Sequence, residues 1–190
     1  MRKDFRISGS GGQGVVSLAI LLANVYGVYE NYEVAQTQSY GAAARGGASQ
    51  AGLVVSDKPI DYIEVDKADV FVAFNEASFK TYYPKTKKDA IIFVDSTLVP
   101  KELYADIPHT VYEIPATDIA EHQFKLYMAN VVMMGFIAAK LGNISFDSLT
   151  KVIADQLPAR AYEENVAALT AGYERGKSYW IFMKSKGRNS

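Results

Sequence analysis

Two glycine-containing stretches hold the residues best suited to chemistry. Gly9-Ser10-Gly11-Gly12-Gln13-Gly14 has the G-x-G-x-x-G spacing at Gly9, Gly11 and Gly14. In such a turn the first glycine permits a tight bend. The second lets the backbone approach a phosphate, and the third lets the next helix pack on the strand. Free N–H groups at the helix start then attract an anion. The second stretch, Gln36 to Ser49, surrounds Arg45 with glycine, alanine and hydroxyl residues. The planar guanidinium of Arg45 suits a phosphate or carboxylate, with N–H groups near Gly46 and Gly47 to assist. The shared chemistry is anion binding. A plain strand–helix turn is the alternative for the first stretch. A mobile loop, or an arginine paired with a partner subunit, is the alternative for the second.

A dinucleotide site needs one more group: an acid about 20 residues on, at the end of the second strand, to hold ribose hydroxyls. Here that strand ends at Thr37-Gln38-Ser39, and Glu33 stands before it. This disfavours NAD and leaves phosphate or diphosphate binding intact. The chain has no cysteine, so it cannot ligate an iron–sulfur cluster through thiolates or act as a thiol nucleophile. His109 and His122 are the two imidazoles, too few for a closed zinc site. Both read as surface residues. No acid–base pair stands out, so no catalytic residue and no metal ligand is assigned.

The elements that must position these loops follow from pattern. Phe5–Ser8 reads as a first strand and Val15–Tyr26 as a buried helix, with Gly27 as its C-cap. Val34–Gln38 is a second strand, unusually polar at Gln36 and Gln38. Ala48–Ser56, Val70–Phe74, Ile91–Asp95 and Thr110–Ile114 read as further strands, the middle two as buried parallel ones. Leu126, Asn130, Met133, Met134, Ile137 and Leu141 share one helical face. Ser145 or Asp147 starts another helix that ends by Pro158, and Tyr162, Val166, Leu169 and Tyr173 mark a third. If the second strand lies beside the first, the Arg45 loop meets the glycine loop at the strand carboxyl ends, where open α/β sheets bind ligands. Asn75, after a strand, points into that crevice or serves as a turn residue. Asn130, on an apolar face, reads as part of a structural network.

Strand–helix alternation predicts an α/β fold: a Rossmann-like three-layer sandwich with a mostly parallel sheet and added C-terminal helices. The 190 residues suit one domain, 1–183, with a polar flexible tail at 184–190. The net charge of −1 offers no broad attraction to nucleic acid or membrane. With neither a signal core nor a membrane-length apolar run, a cytoplasmic location is expected. Thirteen tyrosines are compatible with partner interfaces or with core filling.

Taken together, the motifs resemble those of a known family. Gly-x-Gly-Gly-Gln-Gly is followed by Gln-Ser-Tyr-Gly-x-x-x-Arg-Gly-Gly at Gln38–Gly47, then Val54–Ile60, Phe74-Asn75-Glu76-Ala77 and Asn130–Gly135. This ordered set is similar to the gamma subunit of 2-oxoacid:ferredoxin (acceptor) oxidoreductases, most like the 2-oxoglutarate type. Relatives often carry Pro-Glu where this chain has Ala42-Ala43. The resemblance implies oxidative decarboxylation of a 2-oxoacid to an acyl-CoA. Thiamine diphosphate and iron–sulfur clusters would be held by alpha and beta partners, with delta where it exists, and ferredoxin would accept electrons through the complex. A dimer of heteromers is one assembly it allows. The gamma unit would contribute coenzyme A binding and an interface. On that reading Gly11, Gly12, Gln13, Ser39, Tyr40, Arg45, Gly46 and Asn75 are the ligand-binding candidates, with Gly9 and Gly14 geometric. A stand-alone NAD(P)-binding Rossmann oxidoreductase and a non-catalytic scaffold subunit are the competing readings.

Overall fold

In a computed structural model of the chain, residues 1–39 and 48–186 are described. Tyr40, Arg45, Gly46 and the tail 187–190 lie outside the described residues. The strands are β1 (Arg2–Gly9), β2 (Glu33–Ser39), β3 (Ser49–Ser56), β4 (Ala68–Ala73), β5 (Thr86–Asp95) and β6 (Thr110–Ile114). The helices are α1 (Val15–Asn24), α2 (Glu76–Tyr82), α3 (Ala116–Gln123), α4 (Ala129–Leu141), α5 (Phe146–Gln156) and α6 (Tyr162–Lys186). One sheet has the order β2-β3-β1-β4-β5-β6. Pairs β1–β4, β4–β5 and β5–β6 are parallel, while β3 is antiparallel to both β1 and β2. Only β3 therefore runs against the others.

Side-chain alternation divides the layers. Val70 and Val72 of β4 join the core under α1, α4, α5 and α6. Phe71 and Ala73 join Phe79 and Tyr82 of α2 on the opposite face. A strand buried on both faces must be apolar at consecutive positions, as β4 and the end of β5 are. The sandwich has three layers and the sheet is mostly parallel, as expected.

The strand neighbours differ from the expectation. β3, not β2, lies against β1. The β2–β3 hairpin folds back so that β2 becomes the edge, a place that tolerates Gln36 and Gln38 better than the sheet centre does. The Rossmann arrangement, with the second strand directly beside the first, is therefore not formed.

Two helix details also change. After Asn24 the chain continues as a π-helical turn, Val25–Tyr29, which contains Gly27. Gly27 is thus not a C-cap; a Cβ there would sit 2.9 Å from Val34 Cγ2. Leu126 lies in a 3₁₀ turn before α4 and is exposed, so it does not share the core face. By contrast Asn130, Met133, Met134 and Ile137 are buried on α4. α4 and α6 touch through glycine. A Cβ on Gly172 would stand 1.8 Å from Val132 O, and one on Gly135 would stand 2.1 Å from Leu169 O. α5 begins at the Ser145 cap, whose hydroxyl accepts the Ser148 N–H at 3.0 Å. α6 keeps helical backbone through Lys186. Among the described residues no helix is long and apolar enough to cross a membrane.

Candidate functional site

The site grows from the turn between β1 and α1. Gln13 N–H donates to Ser10 O at 3.2 Å and closes the turn. The Gln13 side chain then staples it: Oε1 accepts Ser10 N–H at 2.7 Å and Asn75 Nδ2 at 2.7 Å. Asn75 Nδ2 also donates to Ser10 Oγ at 2.7 Å. Asn75 Oδ1 caps α2 by accepting Ser78 N–H at 2.9 Å. Both side-chain amides are thus engaged within the protein, and they tie the turn to the carboxyl end of β4.

The glycines divide by role. A Cβ on Gly9 would meet Gln13 Oε1 and Val15 Cγ2, each at 2.8 Å. Gly14, the N-cap of α1, has φ +71°, and a Cβ there would meet Asn130 Nδ2 at 2.5 Å. These two are required by close packing. Gly11 and Gly12 are exposed, and a Cβ on either would meet nothing within 4 Å. The turn therefore presents its open backbone to solvent at Gly11 and Gly12. The first turn of α1 has no acidic residue and no side-chain cap, so its early N–H groups add to the positive field.

The residues that flank 40–47 are placed by strand pairing. Ser49 pairs with Gly9 across β3–β1, and Ser39 pairs with Gln50 across β2–β3. Ser49 Oγ donates to Gly9 O at 3.2 Å, and Tyr82 OH donates to Ala48 O at 3.0 Å. Ala48 and Ser49 are thereby held beside the glycine turn, while Ser39 lies on the edge strand. Ser39 stands at the end of β2; Tyr40, Arg45 and Gly46 fall in the segment outside the described residues.

A cleft of about 640 Å³ opens over the turn. Gly11, Gly12, Ser17, Asn130, Arg160 and Asn165 are among the residues that line it. Asn130 is buried, and its Nδ2 lies 3.5 Å from Gly14 O, so it is part of the turn's support as expected. Arg160 and Asn165 were missed in sequence. Asn165 stands four residues before Leu169, on the α6 face that packs on α4, and this spacing was its one available signal. Nothing local marks Arg160.

Other titratable groups have structural duties. Asp95, fully buried at the end of β5, accepts Thr97 N–H at 3.1 Å, Thr117 N–H at 3.0 Å and Thr117 Oγ1 at 2.6 Å. Burial pushes its carboxyl up, and these hydrogen bonds pull it back. His109 is half-buried rather than on the surface, with Tyr83 OH 3.1 Å from Nδ1 and Lys87 O 3.0 Å from Nε2. His122 is exposed, as expected. Among the described residues no group of three His, Cys, Asp or Glu could hold a metal.

Comparison with known proteins gives a consistent picture. Residues 4–175 match the family described as pyruvate ferredoxin/flavodoxin oxidoreductase. The chain is 39% identical to the 2-oxoglutarate synthase subunit KorC of Methanocaldococcus jannaschii, over 93% of this chain and 95% of that one. The gamma subunit of a keto/oxoacid ferredoxin oxidoreductase from Geobacter sulfurreducens superposes with a TM-score of 0.82 at 26% identity, covering 94% of this chain and 98% of that one. The fold also matches 2-oxoglutarate:ferredoxin oxidoreductase from Magnetococcus marinus, with a TM-score of 0.82 and 24% identity, covering 93% of this chain and 31% of the other.

Proposed function

This chain belongs to the pyruvate ferredoxin/flavodoxin oxidoreductase family, and on that premise we propose that it is the gamma subunit of a 2-oxoglutarate:ferredoxin oxidoreductase. The enzyme oxidatively decarboxylates 2-oxoglutarate to its acyl-CoA. An identity of 39% over nearly the full length of a 2-oxoglutarate synthase subunit supports the choice of oxoacid. Thiamine diphosphate on the alpha and beta partners supplies the decarboxylation chemistry. With no cysteine in this chain, the clusters that carry electrons to ferredoxin are ligated elsewhere in the complex. A cytoplasmic assembly, built as a dimer of heteromers, accords with this role.

The chain's own task is to bind coenzyme A. The observation that carries this is the exposed backbone at Gly11 and Gly12, held open by the Gln13–Asn75 staple. A diphosphate is an acceptor without donors, so it suits a row of N–H groups at a helix start. Gln13, Ser10 and Asn75 position that row. Arg45 is the candidate for a contact to a second phosphate, and Ser39, Tyr40 and Gly46 are the further ligand candidates of its segment. A stand-alone NAD(P) enzyme fits less well: β3 separates β1 from β2, and no acid ends β2.

The test is coexpression with alpha and beta partners, followed by a 2-oxoacid screen with a viologen acceptor. 2-Oxoglutarate should be oxidised fastest in a coenzyme A-dependent manner. Gly11→Val leaves the fold undisturbed because a Cβ there points to open space. It should raise the coenzyme A KM about tenfold, the equivalent of losing one good hydrogen-bonded contact. Arg45→Ala should act in the same direction. An unchanged KM in both variants would sink the coenzyme A role.

A further inference from the structure

The cleft that Gly11 and Gly12 line also carries polar groups left unused among the described residues. Asn130 is 7% exposed and Asn165 is 4% exposed. Asn130 directs its Nδ2 at Gly14 O, and Asn165 donates its Nδ2 to Ala161 O at 2.8 Å. Neither Oδ1 has a hydrogen-bond partner among the described residues. The sealed side-chain polar atom without a partner there is Gln36 Nε2, so both asparagine oxygens reach the cleft their residues line. Left to solvent, both oxygens can accept N–H groups from an occupant of the cleft. Coenzyme A carries such groups in the amides of its pantetheine arm.

Arg160 lines the same cleft, from the 3₁₀ turn Ala159–Ala161 that leads into α6. It is exposed, and among the described residues its side chain makes no ion pair or hydrogen bond. Nearby Glu164 is already taken by Lys125 at 2.7 Å. The cleft therefore holds both a neutral row of N–H donors and a guanidinium with no partner among the described residues. Coenzyme A carries phosphate in two forms: a diphosphate in the chain of the molecule and a monoester on the ribose. The N–H row suits the diphosphate. A guanidinium is the better partner for the more highly charged, separate monoester, which it grips by two parallel hydrogen bonds.

We propose that Arg160 sets the ligand specificity of this cleft by binding the 3′-phosphate of coenzyme A. This rests on the coenzyme A reading above, and the experiment separates the two. Steady-state rates of the assembled enzyme are measured with coenzyme A and with 3′-dephospho-coenzyme A, for wild type, Arg160→Gln, Arg45→Ala and Gly11→Val. Arg160→Gln should raise the coenzyme A KM about 10- to 100-fold, as expected for one charge-assisted contact, and leave the KM for the dephospho form unchanged. Wild type should disfavour the dephospho form by a similar factor. If Arg160→Gln leaves the ratio of the two KM values as in wild type while Gly11→Val still raises both, the proposal fails and the coenzyme A site stands. If Gly11→Val, Arg45→Ala and Arg160→Gln all leave the coenzyme A KM unchanged, both fail. If Arg160→Gln instead weakens copurification with the partner subunits at normal KM, Arg160 belongs to an interface and the proposal is overturned.

Discussion

Replacing Asn75 with alanine tests the link between fold and site most directly. The side chain makes three hydrogen bonds: the α2 cap at 2.9 Å and two bonds to Ser10 and Gln13 at 2.7 Å. Loss of an N-cap costs about 1 kcal/mol. Each neutral hydrogen bond is worth about 1 kcal/mol net, and the half-buried position lets water recover part of it, so roughly 2–3 kcal/mol should be lost. For a chain of this length that corresponds to a melting point lower by about 5–10 °C. Asn75→Ser keeps a capping oxygen but cannot reach the turn, so it should lose about half as much stability. Both variants, however, release the staple. In the assembled enzyme both should raise the coenzyme A KM by similar factors with little change in kcat. The assays are thermal unfolding of the purified chain and initial rates against coenzyme A. A variant pair that melts within about 2 °C of wild type, a shift too small for the lost bonds, would refute the bond accounting. A serine variant with wild-type KM would refute the positioning role.

Two further outcomes follow from packing and charge. Gly172→Ala drives a Cβ to 1.8 Å from Val132 O, so α6 must move off α4. Overpacking of this kind costs about 1–3 kcal/mol or more, to be read as a lower denaturation midpoint; an unchanged midpoint would show that the helices are not so close. Lys140 is buried, and its ammonium has a pKa pushed down to about 8, with the rings of Tyr112 and Phe136 at 4.9 and 5.8 Å from Nζ. A lowered folded pKa means the unfolded chain binds more protons between about pH 8 and the ordinary lysine value near 10.4, so this group's cost to the fold fades as pH rises through that window. Lys140→Met should therefore stabilise the protein at pH 7 and lose that advantage toward pH 10, as measured by denaturation at a series of pH values. An advantage that does not change with pH would mean that Lys140 keeps its ordinary proton affinity.

Local sequence determined the parts of this protein that depend on local chemistry. Glycine spacing after an apolar strand marked the turn between β1 and α1, because only glycine fits Gly9 against Val15 and Gly14 against Asn130. Short apolar runs marked β4 and the buried end of β5, and the absence of cysteine bounded the redox role. Asn75 was legible as a residue at a strand end, but its two tasks were not, since one partner lies in the next helix and the others lie 65 and 62 positions away. Only the tertiary structure decided that β3 inserts between β1 and β2, because strand neighbours are chosen by long-range pairing and not by period. It likewise decided the rest of the cleft's lining. Arg160 and Asn165 line the same cleft as Gly11, and α6 is seated on α4 by glycine contacts between Gly135 and Leu169 and between Gly172 and Val132. Such a contact carries no signature in the residues around Arg160, since its cause lies in another helix.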